Sequence, residues 1–433
     1  MKGLRKYLTP FAPDQSGAVS MCYALGGMVV IVDAGGCAGN ICGFDEPRWQ
    51  PDYPCAFAGL HAMNPDRGDK NPADRMLPRV AAVFSAGLRD MDAILGRDDL
   101  LVSKLADASK KIDAKFIALV GTPVPAVIGT DLQSAARMAL RATGLPCIAI
   151  STDGMHLYDR GIEEALLALL KEFAGGEKPA GVLQDDEVIS DRSNSDRNVS
   201  DKDVSDRDNS GRSLSTEGDD QKKRICGVLG LSPLDLFDPG WTSAIRESLL
   251  AKGYDEVLLH GMEGGLEALG RSGLARINYV VSPAGIAAAK YLEERFGTPY
   301  EIAFPADPML LLEDDPRDME LIRKPDARIL VVHQQVLAHS IRKALRIAGA
   351  GGTITCATWF DQKAFLAEEG DVRLAEEDDF MSLVKEGGWD LIIADPTLRP
   401  LAEGFHGKWI DAFHFAVSGQ AAIDRSRVTE RKH

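Results

Sequence analysis

The chain has 433 residues, 45% of them apolar, and a formal charge of −16 from 49 basic and 65 acidic side chains. That length holds two to three domains of ordinary size, and the acidity works against nucleic acid or an anionic membrane as the main partner, because both select a cationic face. No stretch approaches the roughly 20 apolar residues that span a bilayer, and Met1 to Pro13 lack a signal-peptide core, so a cytoplasmic protein is expected.

Taken in chain order, Ala18, Met21, Cys22 and Leu25 recur at helical spacing, and 28–32 (MVVIV) is a short β-branched run of the kind buried on both faces of a parallel sheet. Directly after it comes 33–43 (DAGGCAGNICG), which carries Cys37 and Cys42; Cys55 follows in the Pro-rich loop 47–54. Glycines such as Gly36 beside Cys37 let backbone approach a bulky inorganic group closely, and a residue just past a strand end stands where open sheets bind ligands. Three thiolates on irregular backbone suit an iron–sulfur cluster held by Cys37, Cys42 and Cys55. The alternatives are a glycine-rich turn carrying buried thiols, or a zinc site that His61 would complete, although the spacing is a poor match to paired zinc ligands. The seven cysteines are odd in number and unlike a secreted disulfide framework. Cys22, Cys147, Cys226 and Cys356 lie in apolar runs and read as core thiols.

Beyond the cysteines, 78–95 reads as helix, 116–120 (FIALV) as strand, 130–143 as a helix opened by Thr130-Asp131, and 147–150 (CIAI) as strand. The segment 178–224 then loses its aromatics and repeats Ser-Asp-Arg/Lys every five residues from Ser190 to Arg207, which leaves too little apolar surface to offset ordering entropy; a disordered linker is expected. The alternation restarts with 225–229 (ICGVL), helix 241–252, strand 256–259, strand 278–281 (NYVV) and helix 285–296. It restarts again with 328–332 (RILVV), helix 339–347, strand 353–357 and strand 390–394 (DLIIA). The fold class is therefore α/β with three Rossmann-like open parallel sheets, in domains 1–177, 225–322 and 323–433, and ligands are expected in loops after Val32, Val120, Leu229, Val281, Val332 and Ala394. His156 and His333 occupy strand-end positions, whereas His414 reads as a satisfied structural histidine. A dinucleotide fingerprint, a P-loop and a zincin motif are all missing, so any ATP used is hydrolysed by another protein.

These residues resemble the nitrogenase component 1 type oxidoreductases, a family that includes dark-operative protochlorophyllide reductase subunits and a cofactor-assembly scaffold. The resemblance rests on 16–43, on 116–131 (FIALVGTPVPAVIGTD), on 226–234 (CGVLGLSPL), on 278–283 (NYVVSP), on 291–299 and on 390–419 with its HFAVSG stretch. It implies three Rossmann-like domains, a dimer or α2β2 tetramer with a paralogue, and a [4Fe–4S] or larger cluster shared across a subunit interface. Electrons would come from a separate ATP-hydrolysing iron protein. Cys37 matches a bridging-cluster ligand, and Thr122 stands where a further ligand cysteine is common. The cysteine that anchors the nitrogenase active-site cofactor has no counterpart, while Phe413 or His414 lies near the matching histidine, so dinitrogen reduction is not expected. The resemblance implies a reductase passing low-potential electrons to an unidentified substrate. The alternatives are a metallocofactor scaffold or carrier, and a cluster-free ligand-binding protein.

Overall fold

The computed structural model of the chain describes residues 6–33, 82–87, 98–176, 223–236, 240–311 and 316–419. Helix α1 (Asp14–Ala24) leads into β1 (Gly27–Ile31), followed by β2 (Ala82–Ser85), α2 (Asp98–Ser109), β3 (Phe116–Val120), α3 (Pro123–Ile128), α4 (Leu132–Thr143), β4 (Cys147–Ile150) and α5 (Tyr158–Phe173). The four strands are parallel in the order β2-β1-β3-β4. Their continuous apolar runs follow from burial on both faces. Met28, Val30, Ile117 and Leu119 pack with Leu105 and Ala135 of α2 and α4; Val29, Ile31, Ala118 and Val120 share a core with Val19 of α1 and Leu166 of α5. Asp131 caps α4 by accepting the Ser134 N–H at 2.9 Å, as the sequence predicts.

One expected element is corrected. Part of the helix read at 78–95 is the strand β2, with Val83 and Phe84 opposite Val29 and Val30. A four-residue apolar run fits either period, and the ladder offered by β1 decides it; positions 78–81 and 88–95 lie outside the described residues. So does the linker expected at 178–224, apart from Lys223 and Arg224.

The second sheet, from β5 (Ile225–Leu229), α6 (Gly240–Ala251), β6 (Glu256–His260), α7 (Gly265–Gly270), β7 (Ile277–Val280), α8 (Ile286–Phe296) and β8 (Tyr300–Ile302), has the order β6-β5-β7-β8. The third follows α9 (Pro316–Ile322) and comprises β9 (Arg328–Val332), α10 (Gln335–Ile347), β10 (Thr353–Thr358), β11 (Val372–Arg373), α11 (Glu377–Gly387), β12 (Leu391–Ala394), β13 (Lys408–Asp411) and α12 (Phe415–Ser418), in the order β11-β10-β9-β12-β13. Every pairing in both is parallel. In each sheet the first strand has the second on one side and a later strand on the other, so the direction of strand progression reverses between β1 and β3, β5 and β7, and β9 and β12. Such switch points open a crevice at the carboxyl ends of the strands. No helix among the described residues is long and apolar enough to cross a membrane.

The three sheet units are joined by shared cores and by close backbone contact. Val228, Leu259 and Tyr279 of the second sheet pack with Ile329, Val331 and Ile393 of the third. The segment before α1 is strapped to the third unit, where the Glu377 carboxylate accepts the backbone N–H groups of Lys6 at 2.8 Å and Leu8 at 2.9 Å. Within the first unit α1 crosses α5 at glycines. A Cβ on Gly161 would stand 1.7 Å from the Asp14 carbonyl oxygen, and one on Gly17 would stand 1.9 Å from that of Tyr158. Gly161→Ala is therefore expected to cost at least the roughly 1–3 kcal/mol typical of overpacking. Urea denaturation checks this, and a midpoint equal to the wild type's would contradict backbone contact between the helices.

Candidate functional site

Two strand-end regions gather polar side chains. The first is the switch point of the first sheet. Asp33, just beyond β1, is buried and accepts the Ser85 hydroxyl at 2.5 Å. Across the crevice, Thr122 is buried and donates its hydroxyl to the Val32 carbonyl at 2.8 Å, while Thr152 ties the end of β4 to the Gly121 carbonyl at 2.7 Å. Thr122 thus closes the backbone between β1 and β3. The chain leaves this edge at Asp33 for the segment that carries Gly36, Cys37, Cys42 and Cys55; all four, together with His61, lie outside the described residues. Beside the edge, Val127 of α3 and Met155 of the loop after β4 are exposed.

The second region is a junction of all three units that no local motif announces. Tyr158 opens α5 of the first unit, Asp235 lies in the turn after β5 of the second, and His333 and His414 follow β9 and β13 of the third; all four are buried. The Tyr158 hydroxyl donates to Asp235 Oδ1, leaving its oxygen to accept from His414 Nε2 at 2.8 Å. His414 Nε2 is also 3.5 Å from Asp235 Oδ1. The His414 backbone N–H donates to Asp395 at the end of β12 at 2.8 Å. The His333 and His414 rings stack with centroids 4.2 Å apart and 7° between planes. His333 Nδ1 accepts the Gln334 N–H at 2.8 Å, so its Nε2 carries the proton toward the Phe413 carbonyl at 3.3 Å. Gln334 in turn donates to the Val281 carbonyl at 2.8 Å, and Ala416 N–H to that of Leu234 at 2.8 Å, joining the switch points of the second and third sheets.

Burial sets the electrostatics here. Desolvation pushes the Asp235 carboxyl up to about 6, against the opposing pull of the Tyr158 hydrogen bond and nearby His333. Burial pushes His414 down to about 3, and burial with neighbouring His414 pushes His333 down to about 3. Burial and the Asp235 charge raise the Tyr158 phenol. Both imidazoles and the phenol are therefore neutral at neutral pH, beside the buried Asp235 carboxyl. His414 is the satisfied structural histidine that the sequence predicts. The sequence gives no signal for Tyr158 or Asp235, because their partners are 77 and 256 positions away.

Two further groups bring potential ligand atoms within 4.8 Å of one another: Asp14, Asp153 and His156, and His339, Cys356 and Asp371. The oxygens of Asp14 accept the Asp153 and Gly154 N–H groups at 2.9 and 3.0 Å, tying α1 to the loop after β4. His156 is exposed and hydrogen-bonds Asp153. The second group already contains a cation, Arg342, paired with Asp371 at 2.5 Å. Among the described thiols, Cys22, Cys226 and Cys356 are buried and Cys147 is partly buried. Desolvation raises all four, Cys147 and Cys226 to about 12, which keeps them protonated and unreactive.

The chain matches the family described as Nitrogenase component 1 type Oxidoreductase over residues 55–309. Among curated proteins, Nitrogenase iron-molybdenum cofactor biosynthesis protein NifE of Methanococcus maripaludis is 28% identical over 115 residues, or 26% of this chain and 23% of that protein. The alignment thus spans less than a quarter of that relative. The solved structure titled Nitrogenase Cp1 at pH 6.5 superposes with a TM-score of 0.62 at 11% identity, over 96% of this chain and 88% of that one. Nitrogenase Cp1 at pH 5 superposes with a TM-score of 0.51 at 16% identity, over 99% and 80%. At these identities the likeness is one of fold, and it agrees with the α/β architecture of open parallel sheets.

Proposed function

The chain belongs to the nitrogenase component 1 type oxidoreductase family, and from that membership we propose that it is the cluster-bearing subunit of a nitrogenase-like reductase. Cys37, Cys42 and Cys55 hold an iron–sulfur cluster, with Gly36 allowing close backbone approach. When bound, the cluster supplies low-potential electrons, received from an ATP-hydrolysing iron protein, for an unidentified substrate. The subunit works in the cytoplasm as a dimer with itself or with a component 1 paralogue. The observation that carries this reading is the place where the cysteine segment begins: Asp33, at the β1/β3 switch point, the ligand-binding edge of an open α/β sheet. Thr122, across that crevice, donates its hydroxyl to the Val32 carbonyl and offers no thiolate, which supports a ligand set drawn from the cysteine segment and from a partner subunit.

A second reading, a scaffold or carrier for metallocofactor assembly, is favoured by the likeness to NifE. The two separate on turnover. With a reduced iron protein and MgATP, a reductase passes many electron equivalents per chain to its substrate, whereas a carrier is reduced once and passes its cluster intact to an acceptor protein. Stopped-flow absorbance of the cluster band distinguishes these outcomes. A cluster that stays oxidised with an iron protein and MgATP would contradict the reductase reading.

A further inference from the structure

The resemblance places a histidine of a second metal centre near His414, and the residues around His414 do not fit such a group. The donor atom that faces the junction, His414 Nε2, is held by the Tyr158 hydroxyl at 2.8 Å. A metal bond of roughly 2.0–2.3 Å needs that lone pair and further donors converging on one point. Here Asp235 Oδ1 is taken by Tyr158, His333 Nδ1 by the Gln334 backbone, and the Ser282 hydroxyl by the Gly230 carbonyl at 2.7 Å. Neither group of convergent ligand atoms among the described residues includes His333, His414 or Asp235. None of the four described thiols stands in a strand-end loop of this junction either.

Packing closes the same space. The Tyr158 ring meets Phe360 edge-on at 4.9 Å and His414 at 5.6 Å, and Phe360 lies 4.7 Å from His414. With His333 stacked on the other side of His414, these are contact distances between rings. Ligand-free junctions built for a cluster would leave a concave chamber with donors aimed inward, whereas this one is filled by its own side chains.

We infer that the three-unit junction of this chain takes no metal centre and serves as a hydrogen-bonded lock, with Tyr158 of the first unit bridging Asp235 of the second and His414 of the third. Any metal chemistry of the chain then lies outside this junction. This inference goes beyond the proposed function and does not depend on it, since it concerns residues remote in sequence from the cysteine segment.

The test is anaerobic reconstitution of the full chain with ferrous iron and sulfide, followed by iron and sulfide analysis and EPR. Wild type is compared with His414→Asn, with Tyr158→Phe, which keeps the ring and removes only the bridge, and with Cys37→Ala. The expected result is an iron-to-protein ratio and EPR spectrum in both junction variants equal to the wild type's. Loss of iron or an altered spectrum, in either junction variant that retains wild-type circular dichroism, would overturn the inference. Cys37→Ala reports on the other claim: unchanged iron there removes the proposed cluster site and leaves the lock standing. Wild type without iron also refutes the cluster while agreeing with a metal-free junction.

Discussion

Replacing Asp371 by alanine is expected to cost about 3–5 kcal/mol, the range for breaking a buried ion pair from one side. Arg342 is the bulkiest of the fully buried side chains, and its guanidinium grips both Asp371 oxygens, at 2.5 and 3.0 Å. Asp371 also accepts His339 at 3.0 Å and the backbone N–H groups of Cys356 at 3.0 Å and Glu368 at 2.9 Å, so one carboxylate fastens α10, β10 and the loop before β11. Burial alone raises that carboxyl, but the His339, Arg342 and backbone hydrogen bonds hold it well below the usual range. Its contribution is accordingly present above the ordinary carboxylate range and is lost only in strong acid. Glu368, 3.2 Å from Arg342, is half exposed and replaces little of the lost charge. Urea denaturation of Asp371→Ala measures the cost, and adding Arg342→Met should recover much of it by removing the orphaned cation. A loss below about 1 kcal/mol would place this pair with exposed ones and contradict the reading.

The second large effect is one of pH. Because the folded-state pKa of Asp235 lies near 6, above its ordinary 3.8, the folded protein holds the proton more tightly than the unfolded chain does. The group's stabilising contribution is thus present at low pH and is lost as pH rises through about 6. Asp235→Asn keeps an oxygen to accept the Tyr158 hydroxyl and removes the ionisation. Relative to wild type, the variant should gain roughly 3 kcal/mol between about pH 4 and pH 7, the equivalent of the two-unit shift. Chemical denaturation of both proteins across that range checks it; a difference that does not vary with pH would mean Asp235 titrates normally. Besides burial, the groups that set this behaviour come from the other two units: Tyr158 at the start of α5 and His333 at a strand end of the third sheet.

Much of the sheet architecture is legible in the chain because parallel strands buried on both faces leave unbroken apolar runs. MVVIV, FIALV, CIAI, ICGVL and RILVV each coincide with a strand to within a residue at either end. The short edge strand β8 and the outer strands β11 and β13 escape such a reading, since an edge strand is half exposed and mixes polar with apolar residues; Tyr300–Ile302 is a case in point. Helix α5 carries an apolar stripe at helical spacing through Ile162, Ala165, Leu166, Leu169 and Leu170, but nothing local marks that it begins with the bridging Tyr158 or crosses α1 at Gly161. The candidate cluster ligands are visible in sequence as thiols and glycines after a strand. Of the junction, His333 and His414 are visible in sequence, whereas Tyr158 and Asp235 are not, because their meaning comes from partners in other units.

We propose a thiolate-held iron–sulfur cluster at the carboxyl edge of the first sheet. Anaerobic purification of the full chain and of Cys37→Ala, with iron and acid-labile sulfide measured per chain and EPR recorded after dithionite reduction, tests it most directly. The expected result is a coloured wild-type protein with iron, sulfide and a reduced-cluster signal, and a Cys37→Ala variant that folds but loses iron and changes or abolishes that signal. A colourless, iron-free wild type, or a Cys37→Ala variant with the iron content and signal of the wild type, would contradict a cluster held by Cys37.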